Sequence, residues 1–284
     1  MTYNNKELLD RCITSVLESI SNAGVNGKVT VVDNASADGT REFIDEKYSF
    51  LNYKLNKSNL GLAKALNIGI KEDLDCEFTL LLNDDVELFP DTVTSMLNTI
   101  ESFPDAMAIP ALLIYPDGSP QRIKLRILGV SNRIKGGVRY IRFAGTTACM
   151  YRTKVFRELG FFDEFYFFYD EDLDFSLRAK RSGMRFILDP EIKVIHHRKK
   201  GREKAFKTIR PYYYATDYYF YRKNYGILFS TIYLIMALFH ITWWRRRYKK
   251  QKDGEKLQLL MKGYRRLMDT VYHFRSLRGA SSAL

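Results

Sequence analysis

The chain has 284 residues, 46% of them hydrophobic and 27% charged, with a formal net charge of +12. That balance excludes a disordered or collagen-like chain and allows one large folded domain, or a domain with an appendage. Three scattered cysteines, Cys12, Cys76 and Cys149, form no CxxC pair, which excludes a disulfide framework and a zinc site of the usual spacing and points to a reducing compartment.

The opening Met1-Thr2-Tyr3-Asn4-Asn5 is polar and does not read as a signal peptide. Residues 6–20 place Leu8, Leu9, Cys12, Ile13, Val16, Leu17 and Ile20 at helical spacing and predict an amphipathic helix. Residues 28–33 are a β-branched strand ending in Asp33, residues 40–48 a helix, 51–55 a weak strand, and 60–70 a helix with small residues on one face. Residues 78–82 are a short apolar run that reads as a buried strand, broken by Asn83-Asp84-Asp85. Pro90 opens a helix to about Phe103, a position where proline is tolerated. Strands are expected over 107–115 and 121–126, a loop at Gly136-Gly137, an apolar stretch over 143–151, a helix over 170–181 and a strand over 193–196.

The tail differs in kind. Residues 211–225 are dense in tyrosine, and residues 226–244 are 19 positions without a charge, just long enough to cross a bilayer. The basic run 245–250 follows, and 257–274 returns to an amphipathic, basic helix of the type that lies on membranes. From His196 onward there are 21 Lys/Arg against five Asp/Glu, whereas residues 1–195 carry 24 against 28. The basic runs flank an apolar span and form no groove-facing stripe, which favours a membrane surface over nucleic acid. Alternating strands and helices with short connections predict an α/β fold, a mostly parallel twisted sheet flanked by helices.

Four constellations carry chemistry. Asp33, in Val31-Val32-Asp33-Asn34-Ala35-Ser36-Ala37-Asp38-Gly39-Thr40, either accepts hydrogen bonds from a nucleotide or, with Asn34, Ser36 and Asp38, shapes a turn and helix cap. Asp84 and Asp85 end a strand, where open α/β sheets place ligands. Adjacent carboxylates there either call for a cation, such as Mg2+ or Mn2+ bridging to phosphate, or belong to a solvated loop that happens to be acidic. Tyr169-Asp170-Glu171-Asp172-Leu173-Asp174 crowds four acids into five positions. That crowding suits a general base with a raised pKa, or equally an acidic helix start with Asp174 paired to Arg178. His196-His197 ends a strand and is either ligand or structural.

Together these residues resemble the family 2 glycosyltransferases of the GT-A fold. The resemblance spans roughly residues 1–225. It rests on Thr2-Tyr3-Asn4, Val32-Asp33-Asn34-Ala35-Ser36, Asn59-Leu60-Gly61 with Asn67-Ile68-Gly69, Asn83-Asp84-Asp85, Gly145 before a strand, Glu171-Asp172-Leu173-Asp174 with Arg178, His196, and Arg222-Lys223-Asn224. Within the family the chain looks most like rhamnosyl- and galactofuranosyltransferase-like members that build bacterial surface glycans.

The resemblance implies that Asp33, beside Asn34, contacts the nucleotide base and Asp84 the ribose or phosphate. Asp85 would hold Mn2+ or Mg2+, and His196 would be a further metal ligand. Asp172 would be the general base, with Gly145 and Glu171 in the substrate-binding set at the acceptor side. Two departures stand out. The family begins with a full apolar strand before Thr-Tyr-Asn, whereas Met1 directly precedes Thr2, so an upstream segment of about five to eight apolar residues is expected. Arg222-Lys223-Asn224 stands where Arg-Asn is more usual.

The resulting expectation is an inverting glycosyltransferase. Residues 1–204 would be the catalytic domain, and residues 205–284 a helical, membrane-associated region. The donor would be a nucleoside-diphosphate sugar and the acceptor a glycan or lipid-linked glycan. The location would be the cytoplasmic face of the cell membrane, by a monotopic attachment with both flanks of 226–244 cytoplasmic rather than by one transmembrane helix, with no nucleic-acid partner. The rivals are a nucleotidyltransferase on sugar phosphates and a catalytically impaired, membrane-associated nucleotide-sugar-binding protein.

Overall fold

The computed structural model describes residues 1–121, 137–197 and 202–281. The chain divides into two compact units, Met1–Glu164 with Glu171–Arg198, and Phe165–Asp170 with Lys199–Leu284. The described elements of the first unit are α1 (Lys6–Ala23), β1 (Thr30–Asp33), α2 (Thr40–Lys47), β2 (Asn52–Leu55), α3 (Leu62–Lys71), β3 (Phe78–Leu82), β4 (Val86–Glu87), α4 (Thr92–Glu101), β5 (Ala106–Pro110), β6 (Leu112–Ile114), β7 (Arg139–Ile141), β8 (Ala148–Arg152), α5 (Lys154–Leu159), α6 (Glu171–Arg181), β9 (Arg185–Leu188) and β10 (Lys193–His196).

β1 and β2 pair in parallel. β10 lies between β4 and β6, antiparallel to the first and parallel to the second. The largest sheet has the order β3-β8-β5-β9-β7, in which the β5–β9 pair alone is parallel. The α/β class is as expected, but the sheet is mixed where a mostly parallel one was predicted. The cause is β8: residues 143–147 deliver the chain to the end of the sheet where β3 and β5 finish, Leu82 facing Ala148 and Pro110 facing Cys149, so β8 runs against both.

β3 is an edge of its sheet: Leu81 is buried, while Phe78, Leu80 and Leu82 are half-buried and pack against the main core. Met1 and Thr2 run beside β3 and β1. The Met1 amine donates to the Leu82 carbonyl (3.2 Å), and Thr2 exchanges backbone bonds with Val32 and Asn34 (2.9 Å each). The single strand expected over 107–115 is two strands in different sheets, β5 and β6. Between them Ala111 N–H turns to Ala148 O (3.0 Å) and Leu112 N–H to Ile192 O (2.9 Å). The strand expected over 121–126 and the Gly136 half of the expected loop lie outside the described residues, Gln121 excepted.

α1 shows why the core forms where it does. Leu9, Cys12, Ile13 and Val16 recur at three- and four-residue steps and are buried. Ser15 and Ser19 lie on the same buried face, where their hydroxyls accept the Leu88 and Val93 N–H groups (3.0 Å each), so the polar groups are satisfied. Cys12 and Val16 join Val86, Met96, Ile100, Ile109, Met150, Ile187 and Val194 in the main core.

In the second unit α7 (Arg202–Lys250) is broken at Gly226, whose φ of 82° and ψ of −167° suit glycine. Its two arms, 202–225 and 227–250, fold back on each other. Tyr214 OH meets His240 Nδ1 (2.8 Å), Tyr233 OH donates to Asp217 Oδ2 (2.9 Å), and Tyr221 stacks on Tyr233. α8 (Gly254–Ser281) begins where Asp253 Oδ1 accepts Lys256 N–H (3.1 Å). Tyr214, Tyr218, Ala237, Ile241, Tyr248, Leu260, Leu267 and Val271 form the shared core of the three helical segments. Residues 165–170 join this unit through rings: Phe165 stacks on Tyr219 (3.8 Å between centroids) and Phe167 on Tyr212 (4.1 Å). Arg222 and Lys223 also lie in this unit, over the rings of Phe274 and of Tyr166 and Tyr219.

Candidate active site

The site is built at the ends of β1 and β3. Asp33 closes β1 and is fully buried. Its Oδ1 accepts Ser36 N–H (2.8 Å) and its Oδ2 the Tyr53 hydroxyl (2.6 Å). Burial, followed by the bond to Asp33, pushes the Tyr53 phenol well above its ordinary range. Both Asp33 oxygens are therefore engaged, and the turn-forming role considered from the sequence is real. Asn34 stitches the neighbouring loop, donating to Gly61 O (3.0 Å) and accepting from Asn56 Nδ2 (2.8 Å) and Leu60 N–H (3.3 Å).

Thr2 connects this strand end to the next. While its backbone pairs with β1, its hydroxyl donates to Asp84 Oδ2 (2.8 Å). Burial raises the Asp84 carboxyl, and the Thr2 bond pulls the other way. Beside it, Asn83 Oδ1 is buried and has no hydrogen-bond partner among the described residues.

Asp85 follows in the turn between β3 and β4, where Val86 N–H reaches back to Asn83 O (3.4 Å). Its Oδ1 lies 3.3 Å from His196 Nε2, and its carbonyl accepts His197 N–H (2.8 Å). The antiparallel pairing of β10 with β4, His196 opposite Val86, brings the two together. Gln121 settles the histidine tautomer. Its Nε2 donates to the His196 carbonyl (2.7 Å), so its Oε1 faces His196 Nδ1 (2.8 Å) and accepts from it. A neutral His196 then turns the Nε2 lone pair toward Asp85 Oδ1. Two lone pairs at that distance repel unless a proton or a metal ion lies between them.

A histidine whose second ring N–H is held by a carbonyl is the usual arrangement of a metal ligand. Asp85 and His196 therefore fit a divalent ion. Among the described residues no third His, Cys, Asp or Glu joins them. Phosphate and water oxygens would complete such a shell. His197, its side chain on the other face, meets Glu87 Oε2 at 2.7 Å.

The acidic cluster resolves into separate roles. Asp174 is fully buried and accepts Arg178 Nε (2.9 Å), while the same guanidinium donates to Leu159 O and Phe161 O. It is the structural pair considered from the sequence. Asp172 is half-buried at the first turn of α6, and burial pushes its carboxyl up to about 6, although its Oδ1 accepts Leu173 N–H (2.8 Å). Gly145 lies against it: a Cβ there would be 3.6 Å from Asp172 Oδ2. The 143–147 segment is pinned on both sides, by Ala144 N–H on Ser176 Oγ (3.2 Å) and by Asn83 N–H on Thr147 O (2.9 Å). The second bond links the Gly145–Asp172 region to the Asp84-Asp85 strand end. Glu171 is buried beside Asp172. Tyr169 and Asp170, just before α6, hold φ values of 70° and 68°, a left-handed conformation that costs non-glycine residues energy and is commonest at functional sites.

Sequence reasoning missed Thr2 as a hydroxyl partner of Asp84, Tyr53 as the partner of Asp33, and Gln121 as the group that orients His196. None of the three stands in a spacing pattern that announces it; long-range pairing alone brings them in.

Residues 1–160 match the family described as Glycosyl transferase family 2, and residues 136–268 match Glycosyl transferase family group 2. The chain is similar to an N-acetylglucosaminyl-diphospho-decaprenol L-rhamnosyltransferase of Mycobacterium tuberculosis, 25% identical over 252 residues and covering 76% of each chain. It is also similar to a low-salt glycan biosynthesis hexosyltransferase of Haloferax volcanii, 23% identical over 59% of this chain and 58% of that one. Among solved structures, a mannosyltransferase from Pyrobaculum calidifontis in complex with GDP-Man and Mn2+ superposes with a TM-score of 0.56 at 16% identity, over 94% of this chain and 85% of that one. S. aureus TarS superposes with a TM-score of 0.53 at 18% identity, over 76% of this chain and 38% of that one.

Proposed function

The chain belongs to glycosyl transferase family 2 and has the GT-A fold, and on that footing we propose that it is an inverting enzyme that moves a sugar from a nucleoside-diphosphate donor to an acceptor hydroxyl. The observation that carries this reading is Asp172, a carboxyl pushed up to about 6 and set against Gly145. A base poised near neutrality can take the proton of an acceptor hydroxyl as that oxygen attacks the anomeric carbon. The new C–O bond forms as the bond to the diphosphate oxygen breaks on the opposite face, which inverts the anomeric centre. The proton ends on Asp172 and the electron pair on the diphosphate.

Asp33 and Asn34 serve the nucleoside, with the Tyr53 hydroxyl yielding its place on Asp33 or sharing it. Asp84 serves the ribose or phosphate, and Gly145 with Glu171 borders the acceptor. Asp85 and His196 would hold Mn2+ or Mg2+, which when bound offsets the charge of the departing diphosphate.

The name of the mycobacterial relative supports a rhamnosyl or similar hexosyl donor and a lipid-linked glycan acceptor in surface polysaccharide synthesis. Residues 1–204 would carry the chemistry. Residues 205–284 would hold the enzyme at the cytoplasmic face of the membrane, supported by their basic charge and by one helix, Pro211–Lys250, long and apolar enough to cross a membrane.

The test is diphosphate release by the purified enzyme from a panel of nucleotide sugars with Mn2+ and a polyprenyl-diphosphate-linked sugar. Acceptor-dependent release with one donor is expected, and EDTA should abolish it. Donor binding without any release would favour the impaired binding protein. Release that survives EDTA would remove Asp85 and His196 from the metal role.

A further inference from the structure

The 227–250 arm of α7 has two faces. Ser230, Ala237, Ile241 and Tyr248 are buried inward, at the spacing of one helix stripe. Leu228, Ile232, Ile235, Met236, Phe239 and Trp243 point outward, with Leu228 66%, Met236 63% and Phe239 75% exposed. At 1.5 Å per residue this outward stripe runs about 22 Å. An apolar patch of that extent on a folded unit marks a partner surface. Its far end runs into Arg245, Arg246 and Arg247, all exposed, and Arg247 lies over the Trp243 ring (5.4 Å).

We propose that this outward stripe docks the enzyme on an anionic lipid bilayer, lying in the plane of the interface without crossing it. The proposal deepens the membrane-surface part of the reading above and rests on it, but does not depend on sugar transfer. The packing of the unit separates lying from spanning. The arm is backed along its length by α8, whose outer face exposes Lys256, Lys262, Arg265, Arg266 and Asp269, and by the 202–225 arm, which carries Asp217, Arg222 and Lys223.

A bilayer span would draw these neighbours into hydrocarbon, where each charge is strongly disfavoured. Lying flat buries the apolar stripe at the headgroup–acyl boundary and leaves the charged helices in water. The arginine run then meets acidic headgroups at the rim, a charge match that a second copy of this basic unit would not supply. Trp243 and Trp244, the two tryptophans of the chain, divide between the faces: Trp243 is outward and exposed, while Trp244 donates to His240 Nε2 (2.8 Å).

The experiment uses the full chain with vesicles of phosphatidylglycerol and phosphatidylcholine, or of phosphatidylcholine alone. Flotation should recover the protein with anionic vesicles, and high salt should release it only in part. Tryptophan fluorescence should be quenched most by lipids brominated near the headgroup. The double variant Met236→Asp, Phe239→Asp should lose at least tenfold in partitioning while keeping its helicity, since both side chains stand in open solvent. Neutralising Arg246 and Arg247 to Gln should weaken binding to anionic vesicles by about fivefold per residue and leave binding to neutral vesicles unchanged.

Three results would overturn the proposal. One is absence of partitioning by the unaltered chain. Another is strongest quenching by lipids brominated at the chain end, which would mean a span. The third is a dimer in lipid-free solution that the Asp variants dissociate, which would make a second copy the occupant.

Discussion

Asp172→Asn should separate catalysis from stability. The carboxyl sits at about 6 in the folded chain because burial disfavours its charge, against an ordinary 3.8. At low pH the group is neutral in both folded and unfolded chains and the folded state loses nothing. As pH rises through the window between those two values the unfolded chain ionises first, so stability falls, and the loss is complete once the folded group has ionised as well. At 1.36 kcal/mol per pKa unit the gap corresponds to about 3 kcal/mol at pH 7 and about 0.5 kcal/mol at pH 4. These figures are upper limits, because a half-buried residue keeps some solvent.

Asparagine is neutral throughout, so D172N should be more stable than the unaltered chain by up to about 3 kcal/mol at pH 7 and nearly equal at pH 4. Its transfer rate should nonetheless fall at least about 10²-fold. The unaltered enzyme should lose about tenfold in kcat/KM per pH unit well below 6. Urea midpoints of both proteins across pH 4–8, with initial rates at each pH, provide the measurement. A stability difference flat with pH refutes the buried-carboxyl argument, and a D172N enzyme of ordinary rate refutes the base. A dead Glu171→Gln beside an active D172N would move the role one residue back.

Asp85→Asn should abolish transfer and weaken Mn2+-dependent donor binding without lowering the melting temperature; full activity in the variant would remove the metal role. Gln121→Leu, which frees the His196 ring, should weaken metal activation by about 10–100-fold, read from the Mn2+ dependence of the rate; an unchanged Mn2+ dependence counts against the assigned tautomer. Gly145→Val should raise the acceptor KM and leave the donor KM unchanged, since its side chain would grow against Phe143 and Asp172; the opposite pattern would place Gly145 on the donor side. Arg178→Leu removes the guanidinium that pairs with buried Asp174 and holds Leu159 O and Phe161 O and should destabilise the fold by about 3–5 kcal/mol in chemical unfolding; a neutral result would mean that this ion pair does not hold the site.

The strand ends were legible because their signal is local. Asp33 and Asp84-Asp85 each follow a short apolar run, which marks a strand end, although the sequence left Asp33 equally readable as the turn former that its bonds to Ser36 and Tyr53 show it to be. The acidic cluster was legible only in part. Arg178 four residues after Asp174 marks that pair as structural, and the structure agrees. Spacing alone did not say that the next acid, Asp172, would lie against Gly145, because that contact joins residues 27 positions apart in the chain. The sheet was read as mostly parallel because alternation of strands and helices says nothing about β8, a strand reached without an intervening helix. α5 and β9 went unread because six and four residues carry too little periodicity. Gln121, Thr2 and Tyr53 act on the site through single hydrogen bonds that leave no pattern in a sequence.

The tail shows where hydropathy stops being informative. Residues 226–244 pass any length test for a bilayer span, because that test counts apolar side chains and ignores where they point. Split by face, the same helix is two surfaces. The inward stripe, closed by Ser230, Ala237, Ile241 and Tyr248, is the core of a three-segment helical unit. The outward stripe is the part left exposed. The residue that makes this possible is Gly226, which opens the uncharged segment and whose left-handed turn folds the tyrosine-rich arm back along it. Tyr214 and Asp217 can then reach His240 and Tyr233. In an approach that doubles back, Tyr214 meets His240, Asp217 accepts the Tyr233 hydroxyl and Tyr221 stacks on Tyr233. Tyr214 before Gly226 and His240 and Trp244 after it thus form one hydrogen-bonded chain. An apolar segment preceded by glycine and by side chains that can satisfy its polar residues is better read as half of a hairpin than as a crossing.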